Sequence, residues 1–338
     1  MGQPLRDHLA KMLLGTLVTL SLMYYFYFSW QMYLPSHESL PSPRNVIPPV
    51  RLLTTPKPPA VSATMRPTTA VNPQRGPLTN CTLADIQRRP GVMVLSSTNF
   101  AFLDITLNLL ASIRKTGVCV NTTIVAADDR CLRYLQRRSQ AEPGLNVLRM
   151  RHGNDSGKLS LNSAKYRYLT NQRPGYLLSF IEQGYEVLYT DADTYWFKDP
   201  FPYFKQNFDV AMLDEHSLDK KRSPVFCDGF GYFKPTGTTK EFLRSWVKEM
   251  HQHPSYTDQG AMNNVIVRMK SGKHKLNILS LNMSLFPGGL WYYNPSFYKK
   301  HRNEIVAMHS SYVINHDAKV EKYKQFNMWH YNATKVIP

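Results

Sequence analysis

The sequence predicts an α/β fold with a largely parallel sheet, on three observations. Short apolar runs alternate with amphipathic stretches between residues 91 and 269, and no internal repeat interrupts them. One such run, residues 185–190, opens directly onto two carboxylates, Asp191 and Asp193. Strand and helix alternating at this pitch build βαβ units and a parallel sheet. Open α/β sheets bind ligands beyond the carboxyl ends of their strands, so the placement of that pair matters more than its composition.

The elements follow in order. Residues 91–96 read as the first strand. From 100 to 115, Phe102, Ile105, Leu109, Leu110 and Ile113 fall at helical spacing, and Gly117 stops the helix. Residues 122–127 form a second strand, with a helix through Leu135, and 146–150 a third. A helix over 176–183, closed by Gly184, leads into the strand 185–190 that delivers the carboxylates. Residues 208–213 and 229–233 continue the sheet, and helices follow over 239–250 and 259–269.

Ahead of this domain the chain changes character. Residues 12–34 carry no charge, enough to cross a bilayer that needs about 20 residues, and end in the aromatic run Tyr-Tyr-Phe-Tyr-Phe-Ser-Trp30. No small-residue cleavage site follows, so this reads as an uncleaved signal anchor. Arg6 and Lys11 against Asp7 place the 1–11 tail in the cytoplasm. Residues 35–77 hold 11 prolines among Thr and Ser, an extended stem open to O-glycosylation. Residues 78–338 then form one lumenal domain.

The formal net charge is +17, most of it in that domain. In a lumenal protein this points away from nucleic acid and towards nucleotide-sugars, anionic lipid or acidic glycans. Five sequons, at Asn80, Asn121, Asn154, Asn282 and Asn332, all follow the stem. The four cysteines, Cys81, Cys119, Cys131 and Cys227, lie there too, and one or two disulfides are their expected use. Cys119 and Cys131 flank the second strand, whose six residues span about 20 Å, too far for a mutual bridge.

Gly184-Tyr-Glu-Val-Leu-Tyr-Thr-Asp-Ala-Asp-Thr-Tyr-Trp-Phe-Lys-Asp-Pro-Phe-Pro202 resembles the core motif of the nucleotide-diphospho-sugar transferase family. This is the group of family 77 glycosyltransferases with plant xylosyl-, arabinosyl- and galactosyltransferase members. The resemblance covers most of residues 90–330. It includes Arg173, the segment Cys227-Asp-Gly-Phe-Gly-Tyr-Phe-Lys-Pro-Thr236, Asp258-Gln259 with Asn263 behind it, and His309 followed by Lys319. It implies a GT-A, Rossmann-like fold in a type II Golgi enzyme that transfers a sugar from a nucleotide donor with retention at the anomeric carbon. A homodimer is compatible with it.

The chemistry accounts for the residue types. Charge builds on the leaving nucleoside diphosphate, and a bound Mn²⁺ or Mg²⁺ would neutralise it. Asp193 is the first-choice ligand, with Asp191 ligating or holding the ribose. By resemblance His309 is the third ligand, with His316 its competitor, and Lys319 and Arg173 face the diphosphate. Asp228, Gly229, Asp258 and Gln259 match positions lining donor sugar and acceptor. Relatives more often carry Asn or Thr before that glycine, so Cys227 and Asp228 depart from the pattern and the sugar does not carry over. Ser96, Thr98 and Asp128 end the first two strands, where nucleobase and ribose would lie and where capping is an equal use. The cluster Leu290-Trp-Tyr-Tyr-Asn-Pro can stack an acceptor or fill a core.

The expectation is therefore a metal-dependent, retaining glycosyltransferase. It would move galactose, xylose or arabinose from a UDP-sugar to a glycan or glycoprotein, held at the Golgi membrane by its anchor. The rivals are an inverting enzyme with Asp258 as base, and an inactive carbohydrate-binding or scaffold protein on the same fold.

Overall fold

Seven strands form the central sheet, in the spatial order Leu145–Arg149, Asn121–Ala126, Val92–Thr98, Glu186–Thr190, Phe226–Phe233, Val210–Asp214 and Ile278–Leu281. They are described in a computed structural model that covers residues 81–331 except 152, 162, 220 and 272–274. The expected tail, anchor and stem, and the sequons Asn80 and Asn332, lie outside the described residues. Among the described residues no helix is long and apolar enough to cross a membrane. The described residues divide into one unit of 81–252 and 257–331, which holds every element named below, and a second that contains 253–256. In the latter, the rings of His253 and Tyr256 stack at 4.7 Å.

In chain order the elements begin with α1 (Leu83–Gln87), β1 (Val92–Thr98), α2 (Leu103–Lys115), β2 (Asn121–Ala126), α3 (Asp129–Ser139) and β3 (Leu145–Arg149). Then come α4 (Ala164–Asn171), α5 (Arg173–Glu182), β4 (Glu186–Thr190), β5 (Thr194–Trp196), β6 (Val210–Asp214) and β7 (Phe226–Phe233). After α6 (Gly237–Gln252) and α7 (Asp258–Lys270) the chain closes with β8 (Ile278–Leu281), α8 (Gly289–Tyr292), α9 (Pro295–His301), β9 (Ala307–His309) and α10 (His316–Gln325). Within the large sheet only β7 runs antiparallel to its neighbours, β4 and β6. The other pairs are parallel, so the α/β expectation holds with one reversed strand.

Both faces of the sheet are covered, which explains why its strands read as continuous apolar runs rather than alternating ones. Side chains alternate between faces, so β4 feeds two cores. Val187 and Tyr189 pack with Leu177, Phe180, Trp246 and Val265 from α5, α6 and α7. Leu188 packs on the other side with Val94, Trp196 and Phe230.

The differences from the sequence reading have local causes. The helix expected from 176 starts at Arg173, because Pro174 needs no N–H partner in a first turn. The strand expected from 229 starts at Phe226, with Cys-Asp-Gly inside it. Its register against β6 jumps from Met212↔Gly231 to Leu213↔Cys227, so residues 228–230 bulge. Bulges of this kind redirect side chains, often beside active sites. Short elements with weak periodicity (α4, β5, β8, α8, α9 and α10) were not legible as separate units. Cys81 and Cys119 form a disulfide with Cα atoms 5.6 Å apart. Cys131 and Cys227 are free and buried.

Candidate active site

The apolar strand β4 ends at Thr190, and its ladder runs one residue further through Asp191 N–H donating to Gly229 O at 2.7 Å. A tight turn follows, closed by Thr194 N–H to Asp191 O at 3.1 Å, and the chain enters β5. Strand β5 pairs antiparallel with β9 in a two-stranded ribbon that sets Thr194 opposite His309. Ser310 N–H donates to Asp193 O at 2.9 Å, which locks the two strands at the turn. Helix α10 pins the same turn from one face. Lys319 Nζ donates to Asp193 Oδ2 at 2.5 Å and to Ser310 O at 2.7 Å, and Tyr323 OH donates to Asp193 O at 2.5 Å. Positions four apart on a helix share a face, so one helix supplies both contacts.

Asp191, Asp193 and His309 each offer a ligand atom within 4.8 Å of the others. His309 Nε2 lies 3.3 Å from Asp193 Oδ1 and 3.6 Å from Asp191 Oδ2. Neighbouring ligands of an octahedral site with bonds near 2.1 Å stand about 3 Å apart. Two hard carboxylates and an imidazole at these separations therefore fit Mn²⁺ or Mg²⁺ with small adjustments. Gly229 lies under the cluster, where an added Cβ would fall 2.3 Å from His309 Cε1 and 2.6 Å from Asp191 Oδ2. Burial opposes the charge on Asp193, but Lys319 and then His309 hold its pKa well below the usual carboxylate range. Burial likewise opposes the His309 cation, yet the Asp193 carboxylate raises the imidazole pKa well above its ordinary value. His316 lies elsewhere, with Nε2 2.8 Å from Asp104 Oδ1 and Nδ1 2.8 Å from Asp317 Oδ1.

A second cluster adjoins the first. Arg173, at the start of α5, is 6% exposed, and its guanidinium meets three carboxylates. Nη2 bonds Asp191 Oδ1 at 2.9 Å, and Nη1 faces Asp228 Oδ2 and, at 3.2 Å, Asp258 Oδ2. Tyr189 OH donates to the same Asp191 oxygen at 3.0 Å, and the guanidinium stacks over the Tyr189 ring. Burial opposes the charge of Arg173, but Asp191 and Asp228 hold its pKa high. Burial raises the Asp228 pKa well above the usual range; Arg173 offsets part of that, and Asp258 and Asp191 push it further up. The bulge in β7 aims Asp228 at Arg173 and Cys227 at His309, whose Nδ1 is 3.3 Å from Sγ. Asn263 braces the bulged strand by bonding both N and O of Phe226.

Several expected site residues are placed differently. Arg173, expected on the diphosphate, is enclosed by carboxylates. Asp128 caps α3, with Oδ1 accepting from Cys131 N–H at 2.9 Å and Oδ2 from Phe100 N–H at 2.6 Å, so both oxygens are committed. Thr98 is buried and exchanges hydrogen bonds with Thr106 and Asn99, and Ser96 is wholly buried. All three are buried. Gln259 is half-buried in the first turn of α7, beside Asp258. In the aromatic run, Tyr292 is 1% exposed among Phe197, Tyr298 and Phe326, so its ring fills a core. Among the sequons, Asn154 and Asn282 are exposed while Asn121 is half-buried in β2.

The sulfur on His309, the Tyr323 hydroxyl on Asp193 and the carboxylate triad around Arg173 are not legible from the sequence. A glycine inside a strand signals a bulge, which could have pointed to Cys227 and Asp228. The spacing of Tyr323 four residues after Lys319 could have flagged the former.

Residues 117–322 match the family model described as nucleotide-diphospho-sugar transferase. The chain is 24% identical over 258 residues to the UDP-D-xylose:L-fucose alpha-1,3-D-xylosyltransferase MGP4 of Arabidopsis thaliana, covering 71% of this chain and 70% of that protein. It is 24% identical over 279 residues to a UDP-galactose:fucoside alpha-3-galactosyltransferase of Dictyostelium discoideum, covering 70% of this chain and 43% of that one. Among solved structures, the galactosyltransferase LgtC in complex with donor and acceptor sugar analogs is similar at 13% identity and a TM-score of 0.48, over 70% of this chain and 94% of that one.

Proposed function

We propose that this chain, which belongs to the nucleotide-diphospho-sugar transferase family, is a divalent-cation-dependent glycosyltransferase. It would move a sugar from a UDP-sugar to a glycan or glycoprotein acceptor with retention at the anomeric carbon. The observation that carries this reading is the convergence of Asp191, Asp193 and His309 at the exit of β4. A bound cation supplies a Lewis acid for the charge on the departing diphosphate. The chain's own residues do the rest. Asp193 gives Oδ1 to the cation site while Oδ2 stays on Lys319, whose ammonium adds a fixed positive charge beside it. Arg173 orients Asp191 through Nη2 rather than touching phosphate.

Retention is the favoured stereochemistry because Asp258, the base of the inverting alternative, is buried and lies 3.2 Å from Arg173. The relatives differ in donor, D-xylose against galactose, but both names give fucose or a fucoside as acceptor. A fucosylated glycan is the acceptor to test first. Residence in the Golgi membrane fits the uncharged 12–34 span, the stem and the Cys81–Cys119 bridge, which persists in an oxidising lumen.

The test is to incubate the full chain, in detergent, with UDP-xylose, UDP-galactose or UDP-arabinose and an alkyl fucoside, with Mn²⁺ or with EDTA. One donor should give Mn²⁺-dependent UDP release and, by NMR, a product that keeps that donor's anomeric configuration, α from UDP-xylose or UDP-galactose and β from UDP-L-arabinose. A product of the opposite configuration would favour the inverting enzyme. No turnover or donor hydrolysis under any condition would favour the binding or scaffold protein.

A further inference from the structure

Cys227 has three properties that a filler residue does not need together. Its sulfur is 3.3 Å from His309 Nδ1, it is 2% exposed, and it takes no part in a disulfide. The β7 bulge puts it there, since the register of β7 against β6 slips at this residue. Gly229, two residues on, packs against the imidazole from the side that an added Cβ would occupy. The ring is thus gripped at Nδ1 by a polarizable sulfur and flanked by backbone, with Nε2 left towards Asp191 and Asp193.

We infer that Cys227 is a positioning residue for the cation site, fixing the tautomer and tilt of His309. An imidazole that binds a cation through Nε2 carries its hydrogen on Nδ1 and needs an acceptor for it. The Cys227 sulfur is the acceptor in place. Sulfur is a weak acceptor, so it holds the hydrogen without drawing the ring away from the carboxylates. The inference rests on the cation-site reading above, and direct metal titration separates the failure of one from the failure of the other.

The experiment compares Cys227→Val, which fills the space but offers no acceptor, with Cys227→Ser, which keeps one. Mn²⁺ binding to the full chain is followed by electron paramagnetic resonance of the free ion, without donor or acceptor. The expected result is a Kd for Mn²⁺ about 10–100-fold weaker in Cys227→Val, the usual loss for a partner of a ligating histidine. Cys227→Ser should recover most of it. Melting temperatures in EDTA check that the variants are folded, and Cys227→Ala carries the same test should the valine not fit. Mn²⁺ affinity in Cys227→Val or Cys227→Ala within threefold of wild type would overturn the inference. So would a serine variant as weak as either. A wild-type chain with no Mn²⁺ binding would overturn the underlying cation site as well.

Discussion

Substituting Gly229 by alanine concentrates the argument in one methyl group. Its Cβ would lie 2.3 Å from His309 Cε1, 2.6 Å from Asp191 Oδ2 and 2.8 Å from His309 Nδ1. Carbon keeps about 3.5 Å or more from such atoms, so one or both ligands must retreat by about 1 Å. Neither is free to do so. His309 is held by Cys227, and Asp191 by Arg173 at 2.9 Å and Tyr189 at 3.0 Å. Overpacking of this kind costs about 1–3 kcal/mol, a few degrees of melting temperature for a domain this size. The functional effect is larger, because a 1 Å misplacement at a reacting centre costs about 100-fold. Calorimetry with Mn²⁺ and a UDP-release assay read the two effects separately. Gly175→Ala is the control: nothing lies within 4 Å of its added Cβ in α5, so it should gain about 0.5–1 kcal/mol and keep full activity. A Gly229→Ala chain with Mn²⁺ affinity and turnover within threefold of wild type would refute this placement of the ligands.

Arg173→Gln strips the counter-charge from three carboxylates and should cost about 3–5 kcal/mol in urea unfolding. Arg173→Lys should recover little, since a point charge cannot replace the fork. Cys119→Ser should lose about 2–4 kcal/mol by opening the loop closed by Cys81; in the native wild type neither Cys131 nor Cys227 should react with an alkylating reagent, and both should after denaturation. Asp128→Ala should cost about 1–2 kcal/mol by removing the α3 cap. Its donor affinity, measured by calorimetry with UDP and Mn²⁺, should stay unchanged, and a loss there would return Asp128 to the ribose.

The parallel half of the sheet was legible because buried strands announce themselves as apolar runs between helical periods. Asp191 and Asp193 were legible because they stand where such a run stops. The partner strand of the site was harder. Strand β9 has three residues, and its pairing with β5 joins positions more than 100 residues apart, which no local pattern encodes. The surroundings of Arg173 are illegible for a related reason. A lone basic residue in a sequence carries no sign of its burial, and Asp228 and Asp258 come from two further elements. Asp128 shows the converse, for its cap is a local feature with a local signature, Asp immediately before a helix.

The most direct test of the central claim is Mn²⁺ binding to the full chain with and without UDP, in wild type and Asp193→Asn. One Mn²⁺ per chain should bind in wild type, more tightly when UDP is present. Asp193→Asn should weaken both Mn²⁺ and UDP binding on the order of 100-fold and abolish transfer, with Asp199→Asn as the unaffected control. An Asp193→Asn chain that bound Mn²⁺ and turned over like wild type would make the strand-end carboxylates structural and contradict this account of the site.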